Sequence, residues 1–156
     1  MATRHRDDPG LVGSQTVFDI VFQVQASEAL AALFKRKNPD ATAQQFEEER
    51  KSLARAPLVV AVVSRAAAHP KIPEWEQVLS GGNAAMNVVL ASHALGFAAQ
   101  WTTGWIAYDS DAAKILGLHN GERVVAIIHI GTSTVPPVDR PRPPIADIAT
   151  FWKAPG

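Results

Sequence analysis

Two rhythms of apolar positions alternate along the chain. Residues 17–24, VFDIVFQV, are dense in β-branched and aromatic side chains and predict a strand. The next stretch, SEALAALFKRK, sets Leu30, Leu33 and Phe34 on one helical face and basic residues in its last turn. It predicts a helix over 27–37 with Ser27 as N-cap, and NPDA ends it. A second helix opens at Thr42, where Gln45 three residues later completes a capping box, and its EEERK run predicts a solvated face. After Pro57, LVVAVVS is apolar on both faces and too short for a buried helix, which predicts a central strand.

The longest periodic stretch runs from Glu74 to Leu95, with Val78, Leu79, Ala85, Met86, Val89, Leu90 and Ala94 at helical spacing and Gly96 placed for a C-terminal cap. Gly81 and Gly82 interrupt it. Each costs on the order of 1 kcal/mol against alanine, so a helix that keeps both needs the missing side chains for close contact or backbone approach. FAAQW predicts a strand, DAAKILGL a helix capped by Asp109 or Ser110, and RVVAIIHIG another strand. Five of the eleven prolines then fall between 136 and 144, in PPVDRPRPP, a segment that cannot pair through a sheet and predicts an extended arm. There is no internal repeat. The chain reads as a single domain over 1–156, with an atypical N-terminal segment at 1–16 and a C-terminal arm at 132–156.

Composition narrows the chemistry. The 156 residues are 47% hydrophobic and 19% charged, enough for one core. Fifteen basic side chains balance fifteen acidic ones, so no net field draws the chain to nucleic acid or to an anionic membrane, and neither is expected as a partner. The absence of cysteine excludes a disulfide framework, a thiolate metal site and a thiol nucleophile. The first ten residues carry arginines with no apolar stretch behind them, and the longest apolar runs are too short to span a bilayer, so the expected location is cytoplasmic.

Catalytic signatures are sparse. The five histidines share no metal-ligand spacing, and no metal is expected. His129, within an apolar strand, reads as a hydrogen-bonded core residue, and His93, in the helical stripe, reads the same way. Glu74 and Glu76 point apart on a helix and form no carboxylate pair. No G-x-S-x-G elbow, Walker loop or G-x-G-x-x-G turn occurs. With no catalytic side chain to nominate, an enzymatic reading requires a cofactor to carry the chemistry. One stretch stands out. AAQWTTGW, residues 98–105, places two of the four tryptophans, two hydroxyls and a glycine at a strand end. Either a core tryptophan precedes a turn, or a rim of hydroxyl and backbone groups meets a flat aromatic ligand.

From about Ser27 to Trp152 the chain resembles the compact FMN-dependent nitroreductases. The resemblance rests on RAPLVVAVV, KIPEWEQVLSGGNAAMNVVLASHALGFAAQWTTGW, LGLHNGERVVAIIHIGT and RPRPPIADIATFW, in that order. It implies an α+β fold with a central, mostly antiparallel sheet flanked by helices and an extended C-terminal arm. It also implies a homodimer that passes hydride from NAD(P)H through FMN to a nitroaromatic or quinone-like acceptor. Carried over by position, Trp101, Thr102, Thr103 and Gly104 are implied beside the flavin, and Arg140 and Arg142 near its phosphate. Ala91, Ser92, His93, Ala94, Leu95 and Gly96 are implied along the nicotinamide substrate. The helix containing SGGNAAMN, with Gly81, Gly82, Ala84 and Ala85, is expected at the dimer surface, and Ile145, Ile148, Phe151 and Trp152 are expected to anchor the arm on the partner.

The N-terminal portion departs from the family pattern. Members begin with a helix bearing an Arg-Arg-Ser-type motif that grips the flavin phosphate and ribityl chain. Here only ten residues separate Arg6 from the strand near Val17, TRHRDD is no such motif, and Asp19 stands where an aromatic or apolar residue is usual. The expectation is a shortened member that lacks part of the flavin's polar contacts. The alternative is a truncated nitroreductase-fold protein without catalysis, acting as a binding or scaffold dimer.

Overall fold

The structure, a computed structural model, describes residues 16–20, 23–52 and 54–153. The readings made for the first fifteen residues, TRHRDD included, lie outside the described residues. In chain order the elements are β1 (Thr16–Ile20), α1 (Gln23–Lys37), α2 (Ala43–Ser52), β2 (Leu58–Ser64) and α3 (Glu74–Ala94). They continue with β3 (Ala98–Thr102), a 3-10 turn at Trp105–Ala107, α4 (Ser110–Ile115), β4 (Arg123–Gly131) and a single helical turn, α5 (Ile145–Ile148). The strands form a four-stranded sheet in the order β1-β2-β4-β3, antiparallel at every pairing.

The two apolar faces read from LVVAVVS are both used. On one side of the sheet Val59, Val124 and Ile127 pack with Leu30 and Leu33 of α1, Ala112 of α4 and Ile106. On the other side Val60, Val62, Ala126, Ile128 and Ile130 pack against Ala85 of α3. The sheet is thus the middle of three layers, and β2 and β4 must be apolar on both faces to fill them.

The register of β2 on β4 slips after Val62: Val62 pairs with Ala126, but Val63 pairs with Val124, which leaves Val125 as a bulge. The bulge lifts Val125 toward α3. A Cβ built on Gly81 would stand 3.2 Å from Val125 Cγ2 and 3.7 Å from Ser64 Cβ, so a bare helix surface is what lets α3 lie on the irregular strand. Gly82 points to the tip of the Trp101 ring, 4.0 Å from where its Cβ would be. Gly81 and Ala85 were expected at a partner surface, but both are buried against the chain's own sheet. The outward stripe of α3 is carried instead by Trp75, Leu79, Met86 and Leu90, all exposed.

Caps and boundaries follow local chemistry where local chemistry is strong. Thr42 and Gln45 exchange the capping-box bonds, with Thr42 N–H donating to Gln45 Oε1 at 2.9 Å and Gln45 N–H to Thr42 Oγ1 at 3.2 Å. Asp109 caps α4 by accepting from the N–H groups of Asp111 and Ala112. Past α3, Gly96 sits at φ 85°, and its N–H and that of Phe97 return to His93 O and Ser92 O, a Schellman turn. The first strand is shorter than expected. It ends at Ile20, α1 has begun by Gln23, and Ser27 lies buried inside that helix rather than capping it.

Candidate functional site

The C-terminal end of β3 turns at Gly104, whose φ of 67° is a backbone conformation that favours glycine. The turn starts the 3-10 segment, with Ala107 N–H bonding Gly104 O at 3.3 Å. It opens a cleft of about 130 Å³ between β3, β4 and the end of α2, lined by Thr102, Thr103, Gly104, Glu49, Ser52 and His129 among others. Thr102 lends its hydroxyl to Ile127 O at 3.2 Å. Trp105 donates its indole N–H to Glu49 Oε1 at 2.8 Å and tilts against Phe34 with 6.0 Å between ring centroids. Glu49, read as part of a solvated charge run, is thereby tied to the site from α2.

Ser52 is the hub on the other wall. Its carbonyl accepts from Arg55 Nε at 3.1 Å and lies 3.1 Å from His129 Nε2. That contact makes Nε2 the donor, which leaves Nδ1 as an acceptor, and Nδ1 is buried without a partner. Burial lowers the His129 pKa from its ordinary 6.5 and the charge of Arg55 adds to the effect, while the bond to Ser52 opposes it. The imidazole is therefore held neutral, a hydrogen-bond acceptor rather than an acid.

A second cleft, of about 220 Å³, adjoins the first and shares Arg55 and His129 with it. Its other walls include the first residues of β3, Ala98 to Gln100, and the residues that follow β4, Gly131 to Ser133. A larger cleft of about 490 Å³ lies at α4 and the 118–122 turn, and none of the residues expected at the site lines it.

The structure brings some of the expected site residues together and leaves others apart. Thr102, Thr103 and Gly104 line the first cleft. Trp101, 37% exposed, pairs with Ile128 across β4 and faces α3, on the opposite side of the sheet. Ala91 to Gly96 form the exposed end of α3 apart from Ser92, which is buried and bonds Val88 O at 2.8 Å. His93, read as a core residue, is exposed, and its Nε2 accepts from Ala99 N–H at 3.3 Å. This segment meets the first residues of β3, four residues and roughly 13 Å from the cleft at Thr102. Arg140 and Arg142 sit on the exposed arm, where Arg142 pairs with Asp139 at 2.9 Å, and they line neither cleft. Glu49, Ser52, Arg55 and His129 were not picked out from the sequence as site residues. Among the described residues, no three His, Cys, Asp or Glu side chains are grouped to hold a metal ion, and no helix is long and apolar enough to cross a membrane.

The model of the nitroreductase family matches residues 12–132. The chain belongs to the nitroreductase family. Among curated relatives, "Putative NAD(P)H nitroreductase YdjA" of Escherichia coli (strain K12) is 30% identical over 87 residues, 56% of this chain and 48% of the relative. "Putative NAD(P)H nitroreductase" of Haemophilus influenzae is 37% identical over 79 residues, 50% of this chain and 43% of the relative. The chain thus spans about half the length of these curated relatives. Among solved structures, a nitroreductase-like family protein from Bacillus cereus superposes with a TM-score of 0.71 at 17% identity, covering 89% of this chain and 74% of that one. A nitroreductase with bound FMN from Bacteroides fragilis gives 0.62 at 20% identity, covering 94% and 80%. The architecture is the nitroreductase fold, α+β as expected.

Proposed function

We propose that this nitroreductase-family chain is a flavin-dependent oxidoreductase. In this reading it binds FMN with one edge of the ring system at Thr102–Gly104 and passes hydride from NAD(P)H to a nitroaromatic or quinone-like acceptor. The observation that carries the reading is the turned strand end itself. A glycine at positive φ, two threonines and the neutral His129 border one small cleft.

The donor set fits a flat heteroaromatic edge. β3 is the outer strand of the sheet, so backbone groups on its free side are available to a ligand. Thr103 adds a hydroxyl, and the neutral ring of His129 stands in the wall without adding a charge. At about 130 Å³ the cleft is below the roughly 300–1,000 Å³ of a self-contained ligand pocket, so it takes an edge of the ligand and leaves the remainder on the surrounding surface. Bound FMN would supply the hydride-accepting and hydride-donating ring, and the chain's share is to hold that ring, orient it and exclude water. No general acid or base is required of the protein. The exposed segment Ala91–Gly96 is the proposed approach of the nicotinamide, and Arg140 and Arg142 are proposed to reach the flavin phosphate once the arm docks.

Docking of the arm belongs to the proposed homodimer. Trp75, Leu79, Met86 and Leu90 form an apolar stripe on the outer face of α3, with Trp75 64% and Leu90 57% exposed, and such a surface seeks a partner. A cysteine-free oxidoreductase of this type suits the cytoplasm.

The deciding experiment is a titration of FMN with the protein, followed by flavin fluorescence and visible spectrum. Quenching with a shifted spectrum, followed by bleaching on addition of NADH or NADPH, is the expected result. FMN that keeps its free-solution fluorescence at protein concentrations well above micromolar would sink the oxidoreductase reading and favour a scaffold dimer.

A further inference from the structure

The two adjoining clefts differ in charge. The first contains a carboxylate, Glu49, already engaged by Trp105 and Ser52. The second has no acidic residue in its lining and holds the guanidinium of Arg55, the amide of Gln100 and the hydroxyl of Thr132. Arg55 forms no ion pair among the described residues. Its Nε is fixed on Ser52 O at 3.1 Å, which leaves the four N–H groups of its two terminal nitrogens for another acceptor. The wall behind it is close-packed, because a Cβ on Gly131 would stand 2.7 Å from Pro57 Cδ. His129, shared by both clefts, stays neutral and places no second charge there. A cationic fork on a rigid wall, with neutral donors opposite and no carboxylate, has the chemistry of an oxyanion site.

We propose that the second cleft is an anion subsite in which Arg55, with Gln100 and Thr132, takes the phosphate monoester of a ligand whose ring edge lies at Thr102–Gly104. The proposal rests on the flavin reading above and adds to it a cation on the folded core, independent of the arm. Gln100 precedes Thr102 by two residues of β3, about 7 Å along the strand, and Arg55 borders both clefts, so one ligand can meet the two ends together.

The test compares FMN with riboflavin, the same molecule without its phosphate, on the wild-type protein, Arg55→Ala and Arg55→Lys, by fluorescence quenching at low and raised salt. Wild-type protein is expected to prefer FMN by roughly tenfold or more, a preference that weakens with salt. Arg55→Ala should lose much of that preference through weaker FMN binding, the remainder being the share of Arg140 and Arg142, while riboflavin affinity holds, which also shows that the variant is folded. Arg55→Lys should recover part of the preference, since it keeps the charge without the fork. Equal affinity for the two flavins in the wild type, a full preference retained in Arg55→Ala, or equal loss of both flavins in that variant would each overturn the subsite and leave the flavin reading standing. A wild-type protein that bound neither flavin would overturn both.

Discussion

At the scale of single residues, the candidate site is held together by one carbonyl. Ser52 O fixes both Arg55 and His129, and the latter comes from 77 positions away along the chain. Such a contact has no spacing to announce it. The hydroxyls and glycine of TTG sit side by side in the sequence and could be singled out there, whereas Glu49 looked like one more charge in EEERK and Arg55 drew no reading of its own. His129 does carry a consequence that can be measured. Its folded-state pKa lies below the unfolded value, so in the window beneath about 6.5 the unfolded chain binds the proton that the folded chain refuses. The stability due to this residue is complete above that value and is lost as pH falls toward the folded-state pKa. His129→Gln keeps a donor for Ser52 O and removes the titration. Urea midpoints measured from pH 7.5 down to 5 should therefore fall more steeply for the wild type than for the variant, and parallel curves would show that the ring is not held neutral by burial.

At the scale of elements, the readings that held are those in which a local rule and the tertiary fold agree. The Thr42 box, the Asp109 cap and the Gly96 turn each satisfy backbone groups with residues two to five positions away, and each formed where the sequence placed it. The boundary between β1 and α1 was misread because VFDIVFQV has strand composition throughout, while the inward helical face of Leu30 and Leu33 extends back to Ala26 and Ser27. Burial of a small polar residue on that face overrode its capping preference. The Asp109 cap also has a tertiary role, since its carboxylate receives Lys37 from the last turn of α1. The bond to Lys37, more than the cap N–H of Ala112, holds Asp109 below the usual carboxylate range. Asp109→Ala removes both functions and should lower the urea midpoint of unfolding measurably. Asp109→Asn keeps the cap and should recover most of that loss, because an exposed ion pair contributes little. If Asn and Ala were equally destabilised, the Lys37 bridge rather than the cap would be what joins α4 to α1.

At the scale of the whole molecule, the described chain leaves two apolar surfaces uncovered that its own core does not need. One is the outer stripe of α3. The other is the arm, where Ile145, Ile148, Phe151 and Trp152 are all exposed, Phe151 by 97% and Trp152 by 83%. The prolines of PPVDRPRPP explain the form of the arm but not its destination, because an extended segment without ladder partners can cross any surface. In the proposed dimer, what directs it is the cost of leaving four large apolar groups in water, which docking on a second copy would relieve while carrying Arg140 and Arg142 toward the proposed flavin phosphate. Replacing both Leu79 and Leu90 by glutamate should leave the fold intact, since neither is buried in the single chain, and should convert the proposed dimer to monomer in sedimentation. Truncation after Thr134 should weaken dimerisation and flavin binding together. Arg140→Ala with Arg142→Ala should weaken FMN binding alone, because the apolar anchors remain. A truncated chain that dimerises and binds FMN like the full one would leave the arm with no part in either, and dimerisation would then rest on the α3 stripe alone.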